Sequence, residues 1–166
     1  DEKILIQGGA GGVGSFAVQL AHHLGAHVIV TGSARNHDYL KDLGADEVID
    51  YNSVDFRDVV SNCDIVYDTV GGEVHRNSYD VLRTGGRMVY VAPQPKDFEV
   101  PRKDVGVLRP QVGRARVYLE RIIALADSGA VIPPEIETMH LSEAAAAQEK
   151  SKSGHVRGKI VLKVRS

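Results

Sequence analysis

The 166-residue sequence has one cysteine, no tryptophan and no long apolar run. With Cys63 alone, neither an intrachain disulfide nor a zinc cluster built on several cysteines can form, and the residue reads as a small buried hydrophobe. No apolar stretch approaches the roughly 20 residues that span a bilayer, and the N-terminus lacks the basic and apolar regions of a secretory signal. A formal net charge of −2 gives no general attraction for nucleic acid or an anionic membrane. The expected setting is reducing, hence cytoplasmic. Seven histidines are present. His22 and His23 are adjacent on one predicted helix and face different ways, and the others are scattered, so no metal site is expected. No Ser-His-Asp or Cys-His constellation is visible either, and no catalytic residue is assigned.

What the chain does have is glycine, densest near its start. Lys3-Ile4-Leu5-Ile6-Gln7 is a short apolar run with β-branched residues, suited to a strand and too short for a helix. It feeds a cluster from Gly8 to Gly14, after which Phe16, Ala17, Leu20, Ala21 and Leu24 recur at helical spacing, with Gly25 placed to stop the helix. Gly9, Gly11 and Gly14 fit G-x-G-x-x-G between that strand and that helix. The first glycine allows a tight turn, the second lets backbone approach a pyrophosphate, and the third lets the helix pack closely on the strand. The helix N-terminus then offers N–H groups and a positive dipole end to the phosphates. Dinucleotide binding is the first functional reading.

Strand-like runs follow at 26–31, 47–50, 63–68 and 87–91, with helical stretches at 38–43, 53–61 and 73–82 between them and a turn at Thr84-Gly85-Gly86. This alternation implies βα units with right-handed crossovers, and so a doubly wound parallel sheet of the Rossmann α/β class. A sixth strand is expected at 105–108, after a proline-marked loop. A helix with Val117, Ile122, Ile123, Leu125 and Ala126 on its apolar face then ends near Gly129. Six strands and their helices complete a dinucleotide-binding domain over 1–129. Residues 130–166 read as a short C-terminal appendage of strand, helix and final strand. The chain opens at once on a core strand, without an initiator Met, which points to a piece of something longer.

Taken together, these residues resemble the medium-chain dehydrogenase/reductase superfamily, in its zinc-free, quinone-oxidoreductase-like branch. The likeness is carried by the glycine cluster through Ser15, by Leu43-Gly44-Ala45-Asp46, by Val48-Ile49-Asp50-Tyr51, by Asp68-Thr69-Val70-Gly71-Gly72, and by the tail from Ser153 through His155 and Arg157 to Leu162. It implies a GroES-like catalytic domain ahead of the cofactor domain, to which the last segment returns. That first part has no counterpart in the sequence, so the chain is expected to bind cofactor better than it turns anything over. The implied activity is hydride transfer from a reduced nicotinamide to a small-molecule quinone, enone or similar carbonyl-activated substrate. A non-catalytic nucleotide-binding sensor or scaffold and the enoyl-reductase module of a larger synthase are the alternatives. By the same likeness Gly11, Gly12, Val13 and Gly14 would line the pyrophosphate. Ser33, Arg35, Asn36 and Tyr51 would surround the adenosine ribose and its phosphate. Val70 and Gly71 would fall near the crevice, Val91, Ala92 and Pro93 would lie along the nicotinamide half, and a homodimer would form through 105–108.

One further absence selects between cofactors. An NAD-type site places Asp or Glu at the end of the second strand, about 20 residues past the glycine motif, to hold the ribose hydroxyls. The stretch Val30-Thr31-Gly32-Ser33-Ala34-Arg35-Asn36 carries no acid before Asp38. Ser33 and Asn36 can donate hydrogen bonds to a 2′-phosphate, and Arg35 can offer it a planar charged fork. NADPH is therefore the expected cofactor.

Overall fold

The computed structural model describes residues 2–111, 113–154 and 156–164; His155, within the C-terminal motif, lies outside them. β1 (Lys3–Gln7) leads through the glycine cluster into α1 (Gly14–His23). β2 (His27–Gly32), α2 (His37–Asp42), β3 (Glu47–Asp50), α3 (Phe56–Val59), β4 (Cys63–Asp68), α4 (Gly72–Asn77) and β5 (Leu82–Tyr90) continue the alternation. β6 (Gly106–Leu108) completes a six-stranded sheet in the order β3-β2-β1-β4-β5-β6, every neighbouring pair parallel. The order in which successive strands are added reverses between β1 and β4, and open parallel sheets bind ligands in the crevice at that point.

The period of two along each strand fills two cores. Leu5, Ile29 and Val66 point to one face, where they meet Phe56, Tyr79 and Met88. Ile6, Val28 and Val30 point to the other, against Val18, Ala21 and Leu40. Strands buried on both faces read as continuous apolar runs, which is why they stand out in the sequence.

Local differences from the sequence reading have local causes. The apolar positions of α1 divide: Val18 and Ala21 face the sheet beside buried Ser15 and Gln19. Phe16, Ala17 and Leu20 instead line an apolar groove of about 500 Å³. A helix laid on a sheet buries only the stripe that touches it. The helix expected over 53–61 shrinks to the single turn of α3. Its cap is Asp55 rather than Ser53, with the Asp55 carboxylate accepting from Arg57 N–H at 3.0 Å. The turn expected at 84–86 is absorbed into β5 as an irregularity: Leu82 already pairs with Cys63, the register shifts before Ile65, and Gly85 takes φ +74°.

Beyond the sheet, α5 (Arg116–Asp127) has no buried residue. β7 (Ile136–His140) and β8 (Lys159–Lys163), joined through α6 (Ala144–Lys152), form a separate two-stranded parallel sheet. This tail is anchored to the glycine cluster. Gly158 N–H donates to Ala10 O at 3.0 Å, and Gly158 bridges Gly11. Gln19 exchanges hydrogen bonds with the backbone of Ile132, donating at 3.2 Å and accepting at 2.7 Å.

Candidate functional site

The carboxyl ends of the strands enclose one groove, built from the glycine cluster outward. The left-handed turn falls at Gly8, φ +77°, one residue before the glycine to which the motif assigns it. Gly9 is buried beneath the loop against Val30. A Cβ on Gly14 would stand 2.3 Å from Gly8 O and 2.7 Å from Gly9 Cα, so only glycine lets α1 begin this close to the loop backbone. Gly11 opens on the groove, where a Cβ would meet nothing nearer than Gly8 O at 3.5 Å. The start of α1 has no side-chain cap and no acid in its first turn, leaving its positive end to an anion. Gly12 and Val13 lie at the loop's outer side, with the Lys159 side chain across Gly12.

Around Gly11 the structure gathers Ser33, Arg35, Asn36, Tyr51 and Val70 into a groove of about 320 Å³, closed on its outer side by Gly154 and Val156 of the tail. A larger cleft of about 600 Å³ continues past Gly8, Thr31, Tyr51 and Val70 towards Phe56 and Asn77. Asn36 is buried rather than presented. Its amide donates to Ser33 Oγ at 3.2 Å and accepts from Arg157 Nε at 2.8 Å. Arg157 also donates to Arg35 O at 2.9 Å and stacks 5.2 Å over Tyr39, so the tail holds the turn that carries Ser33 and Arg35. Asp50, ending β3, is taken up by Asn52, whose backbone N–H holds the carboxyl below the usual carboxylate range.

At the other end, Asp68 closes the turn after β4. Its Oδ1 accepts from Val70 and Gly71 N–H at 2.8 and 2.9 Å, and its Oδ2 lies 2.9 Å from His75 Nδ1. Gly71 has φ +80°, and a Cβ there would stand 2.5 Å from Pro93 O, so this turn lies directly against Val91-Ala92-Pro93 after β5. Cys63 is fully buried at the far end of β4, and burial pushes its thiol up to about 11.

Sequence reasoning missed the buried polar residues that hold these turns. Gln7 accepts from Thr31 Oγ1 at 2.8 Å and donates to Ser78 Oγ at 3.2 Å, while Thr31 Oγ1 accepts Gly8 N–H at 3.0 Å. A glutamine ending an apolar strand was the available signal. Gln19, His75 and Arg157 carried none, because their partners are distant in the chain. Among the described residues no helix is long and apolar enough to cross a membrane, and no three His, Cys, Asp or Glu side chains come together as metal ligands.

Residues 43–162 match the model of the zinc-binding dehydrogenase family. The donor set offers zinc no site among the described residues, so no chemistry is assigned to a metal. The chloroplast envelope quinone oxidoreductase homolog of Arabidopsis thaliana is 33% identical over 175 residues, covering 96% of this chain and 52% of its own length. A solved quinone oxidoreductase from Coxiella burnetii is 37% identical with a TM-score of 0.89, covering 99% of this chain and 53% of that one. A mycobacterial protein solved in complex with NADPH is 26% identical with a TM-score of 0.87, covering 98% and 58%. The chain thus spans about half the length of the relatives it matches. With a family model matched across most of its length and quinone oxidoreductases superposing on its whole sheet, the chain belongs to the zinc-binding dehydrogenase family, in the quinone-oxidoreductase-like branch of the medium-chain dehydrogenase/reductase superfamily.

Proposed function

We propose that this chain binds NADPH along the carboxyl edge of its sheet, as the cofactor-binding part of an oxidoreductase that delivers hydride to a quinone, enone or similar carbonyl-activated substrate. The observation that carries the reading is one groove holding Gly11 of the glycine loop, Ser33 and Arg35, with no carboxylate between Gly32 and Asn36. Gly11 to Gly14 would hold the pyrophosphate by backbone N–H groups, Ser33 and Arg35 the 2′-phosphate, and Tyr51 the adenosine. Asn36, already engaged by Arg157, would shape the turn instead of touching the phosphate. Gly71 and Val91-Ala92-Pro93 would flank the nicotinamide, which when bound supplies the hydride. On this reading residues 1–129 form the cofactor domain and 130–166 the segment that relatives share with a second domain. The quinone class rests on these relatives' own names.

Titration of NADPH and NADH against wild type and Arg35→Ala tests the reading. A charge-assisted contact of roughly 1.5–3 kcal/mol gives wild type about a ten- to hundredfold preference for NADPH, and Arg35→Ala narrows it. Equal wild-type affinities would sink the NADPH assignment; an unchanged ratio in the variant removes Arg35 from it. The same reading includes a homodimer through β6, the outer strand, where Val107 and Leu108 are exposed. Val107→Lys should lower the sedimentation coefficient towards monomer, and a wild type already monomeric at micromolar concentration refutes the pairing.

A further inference from the structure

His75 lies on α4, fully buried in a cage of three rings. Tyr79, Tyr90 and Phe98 meet it edge-on, with centroids 5.6, 5.0 and 4.9 Å away. A phenylalanine would fill such a cage, whereas a buried imidazole is costly unless both nitrogens are bonded. Both are. Nδ1 is 2.9 Å from Asp68 Oδ2, and Nε2 is 3.3 Å from the Gln94 amide nitrogen. An ionised carboxylate only accepts, so Nδ1 carries the proton, and Nε2 accepts from Gln94.

These bonds connect the two turns at one end of the crevice. Asp68 already gathers Val70 and Gly71 N–H, which fixes the turn after β4. Gln94 follows Pro93 in the turn after β5. Gly71 lies so near Pro93 O that a Cβ would not fit between them, which leaves the two turns little room to move closer. The chain Asp68–His75–Gln94 keeps them from moving apart. We propose that His75 is a positioning residue: as the neutral Nδ1–H tautomer it ties the turn after β4 to the turn after β5 and sets the width of the nicotinamide end of the crevice. The inference rests on the NADPH reading above.

Two variants and two probes test it. Gln94→Leu, at a half-buried position, removes one link with little demand on the core, and His75→Phe refills the cage without either link. 2′,5′-ADP presents the adenosine end alone, while NADPH presents both ends. Gln94→Leu loses one neutral hydrogen bond and His75→Phe the whole link, and breaking the tie between the turns should weaken NADPH about fivefold in each variant, with 2′,5′-ADP unchanged and the double variant no weaker than His75→Phe alone. In the wild type, side-chain ¹⁵N spectra should show His75 protonated at Nδ1 and bare at Nε2. Equal losses for both probes would reduce His75 to a purely structural role and overturn the proposal, as would unchanged NADPH affinity or an Nε2–H tautomer. A wild type that binds neither probe overturns the cofactor reading itself, and the positioning role with it.

Discussion

Helix α1 buries five of its ten residues, whereas α5 buries none of its twelve, although Val117, Leu119, Ile122 and Ile123 are each more than half exposed. Both helices carry apolar residues at helical spacing, and on that criterion they are equivalent. What separates them is anchoring. α1 starts with Gly14 pressed on the loop backbone and lies against β1 and β2, so Val18 and Ala21 meet Ile6, Val28 and Val30. Ile122 and Leu125 of α5 reach only the rim of the apolar groove beside α1. Spacing therefore identifies a helix and its apolar side, but burial depends on a surface supplied from elsewhere in the chain.

The comparison is sharpest in a pair of truncations. Val18→Ala removes two fully buried carbons from beneath α1 and should cost about 2 kcal/mol, transfer and cavity together. Ile123→Ala, 57% exposed, should stay within about 0.5 kcal/mol. Urea denaturation of both variants measures the contrast. Equal losses would mean that α5 is packed in solution.

A smaller effect separates the sheet from the tail. Gln19 is the polar link from α1 to residue 132, accepting Ile132 N–H and donating to its carbonyl. Gln19→Leu leaves both backbone groups without that partner, at about 1–2 kcal/mol. The loss should appear as faster amide exchange in β7 and β8, with β1 and β2 unaffected. If exchange in β1 rises equally, the tail and the sheet open as one unit and the two regions are not separable.

How far the sequence could be read follows the same division. The six strands were legible because strands buried on both faces leave unbroken apolar runs, and glycine and proline mark their ends. The glycine cluster was legible because its spacing is imposed by backbone contact, as at Gly14. Docking of the tail was not. The appendage of strand, helix and final strand was legible, but not that Gly158 bridges Gly11, that Arg157 reaches Asn36 across 121 residues, or that β8 pairs with β7. A single arginine gives no sign of which distant carbonyl it will meet. The bond that Asn36 accepts from Arg157 was hidden for the same reason. The partners of Asp68 divide the same way: Val70 and Gly71 are local in the chain, while His75 joins it only through the packing of α4.

The smallest expected effect lies inside the better-packed region and has the opposite sign. Tyr79 is fully buried, and its hydroxyl has no hydrogen-bond partner among the described residues. Burial pushes the phenol up to about 12, with the charges of Tyr90 and Asp68 adding to it. Tyr79→Phe keeps the ring against His75 and Phe98 and removes only the unpartnered oxygen. It should be neutral or stabilising by up to about 1 kcal/mol at pH 7. The sign reverses nowhere but grows with pH. The unfolded phenol titrates near 10.0 and the folded one at about 12. The folded state thus retains a proton that the unfolded state releases, and wild type loses stability between about pH 10 and about 12. The variant lacks that loss, so the gap between the two urea midpoints should widen on the alkaline side. Cys63 titrates over a neighbouring range in both proteins and cancels in the difference. A variant less stable than wild type by more than about 1 kcal/mol at pH 7 would mean that an internal water satisfies the hydroxyl in solution.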